Sequence, residues 1–274
     1  MKMIKQRIYT GIAAAALTLS LTVLTAPAYA AEVLSVNGQN IWQEAKTRVI
    51  NGTTYASLRT LAGVLVPDAE VSWRSGTAWV EGNELSLCAR PGSVYMVIND
   101  RVFYVPDGIR NESGSVLVPV RTIVEALDGE VKWSRQDGVT LTLGSGCPEA
   151  APYTQDELYW LSRIISAESR GEPLLGKLAV GTVVLNRVTN SEFPNTIYGV
   201  IFDRKWGVQF EPVANGTIYN EPTEESVLAA KMVLEGARVT GDSLYFLAPD
   251  LTTNHWIMEN REYVTTIGTH WFYR

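Results

Sequence analysis

At 274 residues with 46% hydrophobic content, the chain is long enough for one large or two ordinary packed domains and is not disordered over most of its length. Its 23 Lys plus Arg against 29 Asp plus Glu give a net charge of −6 and a pI near 5.1. That leaves no cationic footprint for DNA or RNA, so nucleic acid is excluded as a partner.

The first thirty residues form a class of their own. Lys2, Lys5 and Arg7 precede an apolar run from Ile12 to Leu24, and Ala28-Tyr29-Ala30 follows. This is the pattern of a secretory signal peptide over residues 1–30, cut after Ala30, and it predicts an exported protein. The apolar run falls short of the roughly 20 residues a spanning helix needs, and no later stretch could cross a bilayer. Export exposes Cys88 and Cys147 to oxidising conditions, which predicts a disulfide between them. Two cysteines, with His255 and His270 far away in sequence, do not make a metal site, and no cofactor is expected.

Residues 32–145 contain an internal repeat. Tyr55-Ala56-Ser57-Leu58-Arg59-Thr60 leads to Glu70-Val71-Ser72-Trp73. Leu117-Val118-Pro119-Val120-Arg121-Thr122 leads to Glu130-Val131-Lys132-Trp133, and Val66-Pro67 is the extra pair in the first copy. Each unit reads as strand, short helix, strand. Ala78–Val80, Leu85–Cys88, Val94–Ile98 and Val139–Leu143 read as further short strands between turns such as Asn51-Gly52. Through Tyr-Ala-Ser-Leu-Arg, Leu-Val-Pro-Val-Arg and the doubled Glu-Val-x-Trp, the segment resembles the copper amine oxidase N-terminal-like, or stalk, domain. It holds no histidine, the ligand that best suits copper, and it reads as a non-catalytic wall-associated or spacer module.

Small residues and two prolines across 146–152 mark a linker, and long helical patterns follow over 153–274. Thr154-Gln155-Asp156-Glu157 has capping-box spacing and predicts a helix to about Arg170. Along it, Leu161, Ile164, Ile165 and Glu168 share one stripe, which places a carboxylate among aliphatic side chains. Such a glutamate is either ion-paired, with Arg163, Arg170 or another arginine, or pushed toward its protonated form, the state a general acid needs. Glu172 and Pro173 then suggest the cap and first turn of a second, centrally buried helix from Leu174 to Val188, where Gly181 would admit a close neighbour. Asn186 and Arg187 near its end are either polar caps or site residues. Thr223 predicts the cap of a third helix, Glu224 to Glu235, with Val227, Leu228, Ala230, Val233 and Leu234 inward and Gly236 as its stop.

Three sets of motifs carry a second resemblance: Ala167-Glu168-Ser169-Arg170-Gly171-Glu172-Pro173, Gly176 through Val188, and Phe193-Pro194-Asn195-Thr196-Ile197. Gln209-Phe210-Glu211-Pro212-Val213, Leu244-Tyr245-Phe246 and Ile267 through Tyr273 continue it. Residues 153–274 resemble the spore-cortex-lytic, SleB-type cell wall hydrolases. The resemblance implies an α+β multidomain chain: a β-rich duplicated stalk module, then a mainly α, lysozyme-like catalytic domain. It also implies an exported enzyme of the cell wall or spore envelope, acting on the MurNAc-GlcNAc bond of peptidoglycan glycan strands as a lytic transglycosylase. Glu168 takes the role of catalytic acid. Gln209, Tyr245, Trp206, Asn186 and Phe210 are the residues expected to contact substrate. His270 reads equally as packed or as part of the site.

Where the family commonly has Gln-Phe-Ser, this chain has Gln209-Phe210-Glu211. Glu211 is thus a possible second acid if it faces the cleft and a solvated loop charge if it faces outward, and the outward reading is preferred. Of the aromatics, two or three among Tyr198, Trp206, Phe210, Tyr219, Tyr245, Trp256 and Trp271 are expected to stack on sugars. The competing readings are a non-catalytic wall-binding protein, a hydrolytic muramidase using the second carboxylate, and a metal- or nucleophile-dependent amidase or peptidase. The last is poorly served by this sequence, and no Gly-x-Ser-x-Gly elbow is present.

Overall fold

The computed structural model describes residues 32–82, 85–145, 150–205, 207–252 and 255–274. The expected signal peptide, Cys147 and Trp206 lie outside the described residues.

The N-terminal part is built from short strands and two short helices. In chain order these are β1 (Leu34–Val36), β2 (Gln39–Asn40), β3 (Arg48–Ile50), β4 (Thr53–Ser57), α1 (Leu58–Leu65), β5 (Glu70–Arg74), β6 (Thr77–Gly82), β7 (Leu85–Ala89) and β8 (Tyr95–Ile98). There follow β9 (Arg101–Tyr104), β10 (Arg110–Glu112), β11 (Ser115–Pro119), α2 (Val120–Ala126), β12 (Glu130–Ser134) and β13 (Gly138–Thr142). They form sheets of order β12-β13-β1-β2, β10-β11-β4-β3 and β5-β6-β7-β8-β9. Both Arg-Thr motifs open helices directly from a strand, and Ser57 caps α1 by accepting from the Thr60 amide, whereas Pro119 gives α2 no side-chain cap. Alternation along β7, with Leu85, Leu87 and Ala89 buried and Ser86 exposed, points one face at a core that also holds Tyr55, Met96, Leu117 and Ile123. Asn51-Gly52 takes left-handed backbone at both positions, the geometry that matches the twist of the β3–β4 hairpin. Cys88 is half-buried on β7, and the disulfide expected with Cys147 involves a residue outside the described ones.

The C-terminal part contains α3 (Gln155–Ser169), α4 (Leu174–Thr189), α5 (Ile197–Ile201), α6 (Glu211–Asn215), α7 (Glu224–Leu234), β14 (Tyr245–Leu247), α8 (Trp256–Asn260), β15 (Tyr263–Ile267) and β16 (His270–Tyr273). The capping box forms as read: the Glu157 amide donates to Thr154 Oγ1 at 3.2 Å, and the Thr154 amide donates to Glu157 at 2.7 Å. Leu161, Ile164 and Ile165 are fully buried against α4 and α7. Gly181 makes this close packing possible, since a Cβ there would lie 2.8 Å from Ile165 and 3.0 Å from Val233.

Two expectations need correction here. Glu172 does not cap α4: Pro173 occupies the cap, while the Glu172 carboxylate accepts from Thr269 Oγ1 at 2.5 Å and from the Thr269 amide at 3.2 Å. On α7 the buried face is Ser226, Ala229, Ala230, Met232 and Val233, with Val227, Leu228 and Leu234 only half-buried. The domain is mainly α, as expected, and it also carries an antiparallel sheet of β14, β16 and β15 that the sequence reading did not foresee. The chain as a whole is α+β, with a sheet-rich N-terminal part.

The two parts meet where β9 lies on α7. Val102 belongs to the same apolar cluster as Ile164, Met232 and Val233, with Tyr95, Val97 and Tyr104 packed around it. Arg101 donates to both carboxylate oxygens of Glu235, at 2.8 and 2.7 Å, and the Glu235 side chain is only 2% exposed. Lys231 Nζ adds a bond to the Asp100 carbonyl at 3.0 Å. No helix among the described residues is long and apolar enough to cross a membrane.

Candidate active site

Glu168 stands in the last turn of α3, at the head of a cleft of about 1030 Å³. The ends of α3 and α4 supply Glu168 and Arg187, the segment entering α6 supplies Gln209, Phe210 and Glu211, β14 supplies Tyr245 and Phe246, and the α8 region supplies Trp256 and Arg261. The size and the mixture of rings with a few convergent polar groups suit a small-molecule or polymer-segment site.

Glu168 makes no hydrogen bond or ion pair among the described residues. The salt bridges weighed from sequence do not form: Arg163 donates to Glu221 at 2.8 Å and lies 3.7 Å over the Tyr159 ring, and Arg170 is exposed. Burial pushes the Glu168 carboxyl up to about 7, the charge of Glu211 adds to that rise, and Arg187 opposes it. At neutral pH a sizeable share of the population would therefore hold the proton.

Arg187 is 5% exposed and enclosed by rings, with its guanidinium 4.9 Å from Phe193, 5.2 Å from Phe210 and 5.5 Å from Tyr245. Its Nε donates to the Leu244 carbonyl at 2.7 Å, whereas Nη1 is buried with no acceptor among the described residues. Burial lowers its pKa to about 10, which leaves it cationic at neutral pH. It is held by stacking and one carbonyl, with donor capacity left over.

Glu211 is exposed, in keeping with a solvated charge, and it also lines the cleft. Gln209 lines the cleft too, with Nε2 donating to the Gly207 carbonyl at 3.3 Å. Phe210 is 2% exposed and packs against Phe246, so it is wall more than stacking platform. Tyr245 is half-buried beneath Arg261 at 4.6 Å, and Trp256 is 49% exposed at the rim.

Asn186 does not reach the cleft. Its Nδ2 donates to the carbonyls of Gly241 and Ser243, at 2.8 and 2.9 Å, and ties α4 to the segment before β14. Tyr198 and Tyr219 gather around Trp160 elsewhere, and Trp271 sits on β16 against Tyr263. His270 is packed, 8% exposed, with its ring edge-on to Phe246 at 5.4 Å and Nδ1 3.8 Å from Glu172. Sequence reasoning passed over Phe246 and Arg261 as site residues. Phe246 sat unread inside the Leu-Tyr-Phe motif, whereas nothing local distinguishes Arg261.

A carboxyl raised to about 7 at the head of an aromatic-walled cleft, with a cation beside it, has the chemistry that a general acid requires. Comparison with known proteins shows what the chain is similar to. The Cell Wall Hydrolase family matches residues 171–273, and the Copper amine oxidase N-terminal domain matches 34–142. A spore cortex-lytic enzyme of Bacillus cereus is 42% identical over 120 residues, covering 44% of this chain and 45% of that protein. The spore cortex-lytic enzyme of Bacillus subtilis is 33% identical over 141 residues, 52% of this chain and 43% of that protein. The cell wall hydrolase CwlJ of Oceanobacillus iheyensis is 32% identical over 104 residues, which is 36% of this chain and 72% of CwlJ. The solved catalytic domain of a germination-specific lytic transglycosylase, SleB from Bacillus anthracis, is 40% identical and matched over its whole length and 46% of this chain, with a TM-score of 0.42. The chain belongs to the cell wall hydrolase family. It spans less than half the length of the spore cortex-lytic relatives quoted.

Proposed function

We propose that the chain cleaves peptidoglycan glycan strands at the MurNAc-GlcNAc bond as a lytic transglycosylase, with Glu168 as its acid. The observation that carries this reading is the Glu168 carboxyl itself, raised to about 7 inside a cleft walled by Tyr245, Phe246 and Trp256. Protonated Glu168 gives its proton to the glycosidic oxygen, the C–O bond breaks, and the glucosamine leaves as an alcohol. The muramic C1 becomes oxocarbenium-like beside the new carboxylate. That carboxylate then takes the proton of the sugar's own 6-hydroxyl as its oxygen bonds to C1. The product is a 1,6-anhydro ring, the acid is regenerated, and no water is consumed. Gln209 and the spare Nη1 donor of Arg187 hold polar groups of the strand.

Glu211 favours a second reading, hydrolysis. It lines the same cleft and its charge acts on Glu168, and glycosidases that use water pair two carboxylates. Mass spectrometry of purified peptidoglycan digested with the parent, Glu168→Gln and Glu211→Gln separates the two. Anhydro-muramic ends that vanish in Glu168→Gln and persist in Glu211→Gln support the transglycosylase. Reducing ends that need both carboxylates support hydrolysis.

The wider setting belongs to the same proposal: a signal peptide over 1–30, a duplicated stalk module over 32–145, a linker at 146–152, and a lysozyme-like domain over 153–274. The protein would act outside the cell, in wall or spore cortex, as the names of its relatives suggest.

A further inference from the structure

The two hairpins that carry Trp73 and Trp133 are built alike. Trp73 on β5 faces Ala78 on β6, and Trp133 on β12 faces Val139 on β13. Between them, β4 and β11 pair so that Tyr55 faces Pro119 and Ser57 faces Leu117. Exchanging the two strands carries one pair onto the other, which defines a local two-fold axis at the Ala56–Val118 pair.

A groove lies beside each hairpin. The larger, of about 590 Å³, joins Arg121, Val131, Trp133 and Val139 to the β3–β4 hairpin at Gly52 and Thr53. The smaller, of about 440 Å³, joins Arg59, Val71, Trp73 and Ala78 to the β10–β11 hairpin at Gly114 and Ser115. Each residue of the first set has its counterpart in the second, so the grooves are two copies of one design. A tryptophan that packs in a core is largely buried. Trp73 and Trp133 are instead 54% and 60% exposed, and neither takes part in a ring contact among the described residues. An exposed ring repeated at the same register, beside the same arginine and the same polar hairpin edge, marks a surface kept for a ligand.

We propose that these grooves are two alike-built binding sites for one carboxylate-bearing amino-sugar polymer, each seating a sugar face on its tryptophan. Two copies of a site on one chain fit a ligand that repeats, and a ring with a polar edge fits a sugar, which is flat and apolar on one face and hydroxylated at its rim. Charge selects within that class. The chain is acidic overall, yet each groove carries an arginine at the same position. Arg59 has no acid partner among the described residues, whereas Arg121 is shared with Glu125 at 2.9 Å and Asp107 also lines the larger groove. The Trp73 groove is therefore the stronger of the two for an anionic strand. Because β9 is fixed on α7, a strand held in the grooves stays at high local concentration near the cleft. Naming the polymer peptidoglycan rests on the function proposed above; the grooves themselves do not.

The test is pelleting of the full chain with purified peptidoglycan, in a Glu168→Gln background that prevents digestion. Trp73→Ala and Trp133→Ala are compared singly and together, with melting and light scattering on each. Removing one of two attachment points should weaken binding by roughly tenfold, more for Trp73→Ala, and the double variant should lose more than either. With Glu168 intact, the double variant should still turn over short soluble glycan at the parent rate. A double variant that pellets like its parent overturns the proposal. So does a parent dimer that the substitutions dissociate while pelleting is unchanged, which would make the grooves a self-association surface. Trp-dependent pelleting by a protein that never cleaves would sink the catalytic reading and leave the grooves standing.

Discussion

Arg187 and Glu168 end neighbouring helices and meet in one cleft, where the guanidinium offsets part of the rise that burial and Glu211 impose on the carboxyl. The acid is thus tuned by three opposed influences and comes to rest near neutrality. The proton affinity and pH range of this proposed acid are set by neighbours that can be changed one at a time.

Replacing Glu168 by Gln should lower turnover of peptidoglycan by about 10²–10⁴-fold, the usual share of a general acid. The same change should stabilise the fold in alkaline solution. The carboxyl titrates near 4.5 when unfolded and about 7 when folded. Between those values the unfolded chain holds fewer protons, so stability falls as pH rises through the window and stays lower above it. Glu168→Gln should therefore gain up to about 3 kcal/mol at pH 8 and nothing at pH 4, read from urea melts at both.

Glu211→Gln removes a negative charge that raises the Glu168 carboxyl. The alkaline limb of the activity profile should move to lower pH, with the acid lost sooner as pH climbs. A limb that stays where it is would mean that Glu211 does not act on Glu168 during turnover.

Arg187→Met removes the opposing cation, so the same limb should move to higher pH. Turnover at the optimum should also drop, because Nη1 is the buried donor left without an acceptor at the cleft. Arg187→Lys should keep the position of the limb and lose turnover, since an ammonium retains the charge but cannot stack flat among Phe193, Phe210 and Tyr245.

At the junction, Arg101→Ala strands the buried Glu235 carboxylate and should destabilise the full chain by about 3–5 kcal/mol in denaturant melts. Exchanging both residues for apolar ones of similar size should cost much less, because no charge is then left unpaired. Equal losses in the two variants would show that packing, not the ion pair, holds β9 to α7.

Gly268 opens the β15–β16 turn with left-handed backbone at φ +59°, and a Cβ there would lie 1.7 Å from a Glu172 oxygen. Gly268→Ala should displace that carboxylate from Thr269 and lower stability by about 2 kcal/mol or more, measured as a fall in melting temperature.

Much of the scaffold was legible because it rests on short-range rules. The Thr154/Glu157 capping box and the Leu161, Ile164, Ile165 stripe each depend on residues within two turns of helix. The two Arg-Thr motifs likewise announce their strand-to-helix junctions. The β14–β16 sheet was hidden, since its strands are short, carry rings and threonines on both faces, and find partners only across long connections. Asn186 was misread because its amide looks the same whether it meets a sugar or, as here, the carbonyls of Gly241 and Ser243.

The sequence by itself determined that a glutamate would stand among aliphatic residues at the end of a capped helix, and that a doubled motif would present two tryptophans. Only the tertiary structure decided how acidic that glutamate is, because burial, Arg187 and Glu211 act on it through space from separate elements. Only the fold, too, set both tryptophans facing solvent beside matching arginines. Helix and turn formation read neighbours along the chain, whereas charge coupling and solvent access depend on which distant segments are brought together.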